Sequence, residues 1–188
     1  MNQKAERALQ FFREKVAEFY RKRYAEQDIS VYINLYDVLI ELEKEDADAV
    51  ATLTDLLNDG CAYDMHSWML MALRGVAARR MISCETAKQI LKSTERIALI
   101  DYEEWFRSIE QLALSDQGIC VLLEFVDRLL DTRDIYSWRW LAFFTTATVL
   151  SRDAASIPEP LKEKLKAEIG QESDPHAKQY MREVSDMF

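Results

Sequence analysis

The pentapeptide Asp64-Met-His-Ser-Trp68 returns as Asp134-Ile-Tyr-Ser-Trp138, with a looser copy at Asp101-Tyr-Glu-Glu-Trp105 and a weaker one at Asp28-Ile-Ser-Val-Tyr32. Successive starts lie 36, 37 and 33 residues apart. A motif at this interval marks a helical hairpin too small to bury its own apolar face, so successive hairpins must stack. In each copy the aspartate is placed to cap a helix. The aromatic four residues on stands one turn in, aimed at the neighbouring helix. Tight hairpin turns have little material here: the 188 residues include four Gly and three Pro, where Gly alone averages about 7%. An all-α chain with short connections is the expectation.

About ten helices follow from apolar residues at helical spacing and from start and stop residues. The first runs near Asn2 to Ala25, with Leu9, Phe12, Val16 and Phe19 on one face. Ser30 caps a second, to Glu43; Asp46 starts a third that stops at Asn58-Asp-Gly60. The fourth spans Asp64 to Arg80, and Ser83 caps a fifth through Ile97. Asp101 opens the sixth, Ser115 or Asp116 the seventh to Leu130, and Asp134 the eighth to Leu150. Pro158 and Pro160 suit the first turn of a ninth, stopped by Gly170, and Asp174-Pro175 opens a short tenth. No composition shift marks a boundary. Residues 1–188 therefore read as a single helical-repeat domain, 1–27 a capping helix and 28–188 the hairpins.

This pattern resembles the HEAT-type helical solenoids, in which an Asp commonly precedes the inner helix of each hairpin. The terminal Asp174-Pro-His-Ala-Lys-Gln-Tyr-Met-Arg182 is similar to it too, so the resemblance covers most of the chain from Asp28 onward. The Val-Arg pair favoured in those families is missing after Asp64, Asp101 and Asp134. The resemblance implies a right-handed α-solenoid of about five stacked hairpins, a scaffold that binds other macromolecules through an extended surface.

Signatures of chemistry are sparse. Cys61, Cys84 and Cys120 form no C-x-x-C and read as buried structural thiols in a reducing compartment. His66 and His176 fall in different repeats, and neither belongs to an H-E-x-x-H. Glu103-Glu104 as a glycosidase pair would need unlike environments across a cleft, whereas solvated acids on a helix explain them as well. The longest apolar stretch, Trp140 to Leu150, is too short to span a bilayer, and the N-terminus enters a charged helix. A cytoplasmic, non-enzymatic protein without cofactor, metal or membrane partner is expected.

Charge carries more information. The net charge of −9 comes from 24 basic and 33 acidic residues, which disfavours nucleic acid as the main ligand. Residues 28–73 have one basic and ten acidic side chains, and residues 101–134 three and nine. Asp37 and Glu41 share one face; Asp48, Asp55 and Asp59 form a stripe; Glu124, Asp127 and Asp131 form another. Few cations lie at spacings that would neutralise them within each helix. A solvated face accounts for such stripes without any partner. The alternative is a surface that steers and holds a basic protein, using Asp37, Glu41, Asp48, Asp55, Glu103, Glu104, Glu124 and Asp127. Trp140 lies about 200° around the helix from Trp138; it is either a second packing contact or an aromatic anchor among these acids.

In size, charge and solitary-domain character the chain looks like a bacterial immunity protein, one that blocks a basic cognate toxin domain such as a nuclease. Carboxylates would then occupy the place where the nuclease receives phosphates. A generic scaffold or adaptor is the first rival. A HEAT-like DNA repair enzyme is the second, and would need Arg74, Arg79, Arg80, Lys88 and Lys92 gathered around a cleft with Trp68.

Overall fold

The computed structural model describes residues 3–26, 33–59, 63–98, 102–132, 138–152 and 157–188. Among them the chain is all-helical, with ten α-helices and no strand. These are α1 (Gln3–Glu26), α2 (Leu35–Glu45), α3 (Ala49–Asp59), α4 (His66–Ala77), α5 (Cys84–Ala98), α6 (Tyr102–Leu112), α7 (Asp116–Thr132), α8 (Trp138–Leu150), α9 (Glu159–Gln171) and α10 (Pro175–Ser185). A 3-10 turn, Tyr63–Met65, precedes α4. None of the described helices is long and apolar enough to cross a membrane. The chain divides into two compact units, Met1–Ser108 and Ile109–Phe188.

In the first unit α1 buries Leu9, Phe12 and Val16 of the stripe that its apolar spacing predicts, with Ala8 beside them, while Phe19 is half-buried. Each helix from α1 to α3 packs on the next and on the next but one, and α4 packs on α5. Leucines at helical spacing make this core: Leu35, Leu39 and Leu42 of α2, Leu53, Leu56 and Leu57 of α3, Leu70 and Leu73 of α4. Each contributes about 1.5–3 kcal/mol by leaving water. Gly75 lets α2 and α4 approach closely, because a Cβ there would sit 3.1 Å from the Cβ of Tyr36.

In the second unit α7 packs on α8 and α9, and α10 on the same two helices. Val121, Leu122, Phe125, Val126, Leu129 and Leu130 form the buried stripe of α7. Across from it α8 buries Leu141, Phe143 and Val149 together with Thr145 and Thr146. Those hydroxyls are satisfied within the helix: Thr145 donates to the Leu141 carbonyl (2.7 Å) and Thr146 to that of Ala142 (2.8 Å). Local back-bonding of this kind is how threonine enters an apolar helix without an orphaned donor.

Several helix starts follow local capping chemistry. Ser83 Oγ accepts from the Thr86 amide (3.0 Å), Ser115 Oγ from Gly118 (3.1 Å) and the Asp174 carboxylate from Ala177 (2.7 Å). Others depart from the sequence expectation. Asn34 caps α2, accepting from the Tyr36 amide, so the described helix starts at Leu35; Ser30 lies outside the described residues, as do Asp28, Asp101 and Asp134. Gly170 does not stop α9, which continues through it to Gln171. The repeat motif itself needs correction at Asp64. Met65 occupies the cap position of α4 without a side-chain bond, while the Asp64 carboxylate takes a bidentate grip from Arg13 of α1 (2.9 and 3.0 Å). Trp68 is half-buried and meets Tyr20 of α1 edge-on, with ring centroids 5.9 Å apart. Trp105 is buried; the Trp138 side chain lies outside the described residues.

Candidate interaction surface

Several of the acids that read as unpaired stripes are met by cations from other helices. Glu41 pairs with Lys15 of α1 at 2.5 Å, and Asp48 with Lys4 of α1 at 2.9 Å. Asp127 and Asp131 of α7 share Lys164 of α9, at 2.6 and 2.8 Å. Glu103 pairs with Arg107 at 2.8 Å, and Asp37 accepts from the Asn34 amide at 2.7 Å. Asp55 and Glu124 are exposed. Glu104 turns inward: its side chain is 12% exposed and pairs with Arg74 of α4, itself 2% exposed. The expectation of stripes without counterions is therefore corrected at Glu41, Asp48, Asp127 and Asp131, whose counterions come from distant sequence.

The pairing has a recurring stoichiometry. Lys4 bridges Asp46 and Asp48, Lys164 bridges Asp127 and Asp131, and Arg139 of α8 bridges Glu168 of α9 and Glu172 just beyond its end at 3.0 and 3.3 Å. Each clasp places one cation between two carboxylates and retains one surplus negative charge. Bonds to Asp46 and then Asp48 raise the pKa of Lys4, and bonds to Asp127 and then Asp131 raise that of Lys164. The Lys164 clasp stands in solvent on both arms and the Lys4 clasp on its Asp48 arm, where an ion pair is held weakly.

The same charges set the acid response. Lys4 holds Asp46 below its ordinary pKa of 3.8, Arg13 does so for Asp64, and Arg80 holds Glu43 below 4.5. A carboxylate depressed in the folded state stabilises the fold above its unfolded pKa, and that stability is lost as pH falls through the folded value. The melting temperature is thus expected to hold from neutral pH down to about 4.5 and to fall below it. A melting temperature that rises steadily on acidification would show that relief of carboxylate repulsion outweighs these pairs.

The arginines that a DNA-repair reading would need around a cleft are engaged within the first unit. Arg80 grips both carboxylate oxygens of Glu43 (2.7 Å each) and donates to the Tyr36 hydroxyl at 3.0 Å. Its guanidinium lies 5.2 Å from the Tyr36 ring centroid, and that of Arg79 lies 4.8 Å from it. Arg74 donates to Glu104 and to Ser108 Oγ (3.3 Å), and Ser108 shares a 2.7 Å bond with Thr94. Burial pushes the Arg74 pKa down, and the Glu104 charge opposes that shift.

The second unit carries a different feature. Trp140 is 41% exposed and stacks on Phe144, with centroids 5.4 Å apart and planes 11° from parallel. Phe144, Ala147 and Thr148 continue this face of α8 into an open groove of about 500 Å³, which Glu110, Arg152 and Tyr180 of α10 also line. Burial raises the pKa of the Tyr180 phenol, which keeps its proton at neutral pH. Phe144 and Ala147 share the face of Trp140, as helical spacing predicts, whereas Glu110, Thr148, Arg152 and Tyr180 were not anticipated.

Among the described residues no group of three or more His, Cys, Asp or Glu side chains is placed to hold a metal ion. His66 is buried and His176 exposed. Cys84 is half-buried and Cys120 exposed, so neither is the buried thiol expected; Cys61 lies outside the described residues. Comparison with protein-family models, with curated proteins and with solved structures found no match.

Proposed function

We propose that this chain is a non-enzymatic, protein-binding helical-repeat protein whose surplus carboxylates capture a basic partner. A HEAT-like arrangement of stacked hairpins is the finer form of the fold proposal. It is supported by the packing of helices on their second neighbours within each unit: α1 on α3, α2 on α4 and α3 on α5 in the first, α7 on α9 and α8 on α10 in the second. In a stack of hairpins, alternate helices form two layers and make these contacts.

The observation that carries the functional reading is the clasp of two carboxylates on one exposed lysine. A lysine or arginine from a partner can replace Lys164 between Asp127 and Asp131, or join it, without the removal of any strong internal bond. Long-range attraction from the net charge of −9 then raises the encounter rate and makes it depend on salt. The biological form proposed is immunity: occlusion of a basic toxin domain, a nuclease being the class whose substrate phosphates such carboxylates mimic.

Growth rescue tests this. Co-expression with a basic toxic domain encoded beside this chain should restore growth, and the purified pair should associate. Binding without rescue would favour an adaptor instead; no binding would defeat the reading. With that pair in hand, Asp127→Lys with Asp131→Lys is expected to slow association about tenfold at low salt and leave dissociation nearly unchanged. An association rate indifferent to both the reversal and the salt would remove the clasps from the interface.

A further inference from the structure

The groove of the second unit contains two charges of opposite sign that leave each other alone. Glu110 and Arg152 both line it, yet among the described residues neither makes an ion pair, with the other or with a third group. Both are exposed, so solvation rather than a counterion satisfies them in the free protein. The half-buried ring of Phe144 and the half-buried Tyr180 line the same groove, and Trp140 stacks on Phe144. Trp140, Phe144, Ala147 and Thr148 fall at positions i, i+4, i+7 and i+8 of α8, which is one face of a helix. The result is an apolar strip that opens into a cleft with a cation-seeking group and an anion-seeking group.

We infer that this cleft is a peptide-docking site. It takes a partner segment in which an apolar anchor rests on Phe144 and Trp140 while a lysine or arginine faces Glu110 and an aspartate or glutamate faces Arg152. The open form of the groove favours a peptide over a small metabolite, since small-molecule pockets enclose most of their ligand. Charge complementarity defines the segment: a uniformly basic peptide satisfies Glu110 and is repelled by Arg152, and a uniformly acidic one does the reverse. Aromatic residues and arginine are the side chains most often found at the energetic centre of an interface. This inference rests on the protein-binding reading above and deepens it, because it supplies a sequence-selective contact that diffuse acidity lacks.

The experiment is selection of a displayed random twelve-residue peptide library on the full chain, repeated on four variants. The expected outcome is an enriched consensus that combines one large apolar residue with one basic and one acidic position. Glu110→Gln should relax only the basic preference and Arg152→Gln only the acidic one, each weakening a selected peptide about fivefold, the scale of one exposed ion pair. Phe144→Ala should abolish the consensus. Because Glu110 and Arg152 are exposed, their variants are expected to melt as the parent does, so the test survives even if Phe144→Ala fails to fold. Two results would overturn the inference. Peptides lost on Asp127→Asn with Asp131→Asn, but indifferent to Glu110→Gln and Arg152→Gln, would place binding on the acidic clasp and leave protein binding itself intact. Failure to enrich any consensus would reject the groove, while growth rescue by a toxin partner would still uphold the broader reading.

Discussion

Replacing Glu104 by Ala is expected to cost about 3–5 kcal/mol of folding stability, the range for removing one partner of a buried ion pair. Arg74 is 2% exposed and surrounded by the apolar residues of α4, so its charge has no route to water in the folded state. Glu104 is the carboxylate that it meets, and Ser108 supplies only a neutral acceptor at 3.3 Å. The Arg74 Nε is already without a hydrogen-bond partner, which leaves no slack for losing the stronger contact. Urea denaturation measures the effect. The double replacement Arg74→Met with Glu104→Leu removes both charges and fills similar volume, so it should recover most of the loss. A Glu104→Ala protein within about 1 kcal/mol of the parent would mean that Arg74 reaches solvent.

That expectation also separates two acids that are adjacent in sequence. Charge reversal at Glu103, which is exposed and pairs with Arg107 one turn away, tests partner capture; the same change at Glu104 tests the fold. In sequence the two look alike. What distinguishes them lies 30 residues back, in the run Met69-Leu-Met-Ala-Leu-Arg-Gly-Val-Ala77, where one arginine interrupts an apolar helix. A lone charge in such a run must find a buried counterion, and this was the legible signal of the pair.

Features governed by near neighbours were readable in this way. Helix number, the apolar faces of α1, α2 and α7, and the caps at Ser83, Ser115 and Asp174 all follow from residues within one or two turns. Features that join distant segments were not. Lys4 reaches Asp48 across 44 positions and Arg13 reaches Asp64 across 51, so neither the neutralisation of the acidic stripes nor the diversion of Asp64 from its capping role leaves a local trace. Trp140 shows the intermediate case. Its angular separation from Trp138 left two environments open, and tertiary packing decided between them by leaving it stacked on Phe144 at the surface.

Glycine offers the sharpest case of one substitution with opposite outcomes. At Gly118 an added Cβ would lie 2.0 Å from the Leu112 carbonyl oxygen, 2.7 Å from its carbon and 2.9 Å from Ser115 Oγ. The first two neighbours are backbone, so the α6–α7 turn itself must move. That shift also disturbs the Ser115 cap, whose hydroxyl accepts from the Gly118 amide. Overpacking of about 1–3 kcal/mol or more, with about 1 kcal/mol for the cap, exceeds the roughly 1 kcal/mol that alanine contributes as a better helix former. Gly118→Ala should therefore destabilise by about 1–3 kcal/mol. At Gly170, also within a helix, the added Cβ would meet nothing within 4 Å beyond its chain neighbours and the local helix backbone. There the propensity effect acts alone, and Gly170→Ala should stabilise by about 0.5 kcal/mol. Parallel urea titrations of the two variants decide the matter. If Gly118→Ala stabilises as Gly170→Ala does, the turn is open, and the close approach of Leu112 to α7 is not what ties these helices together.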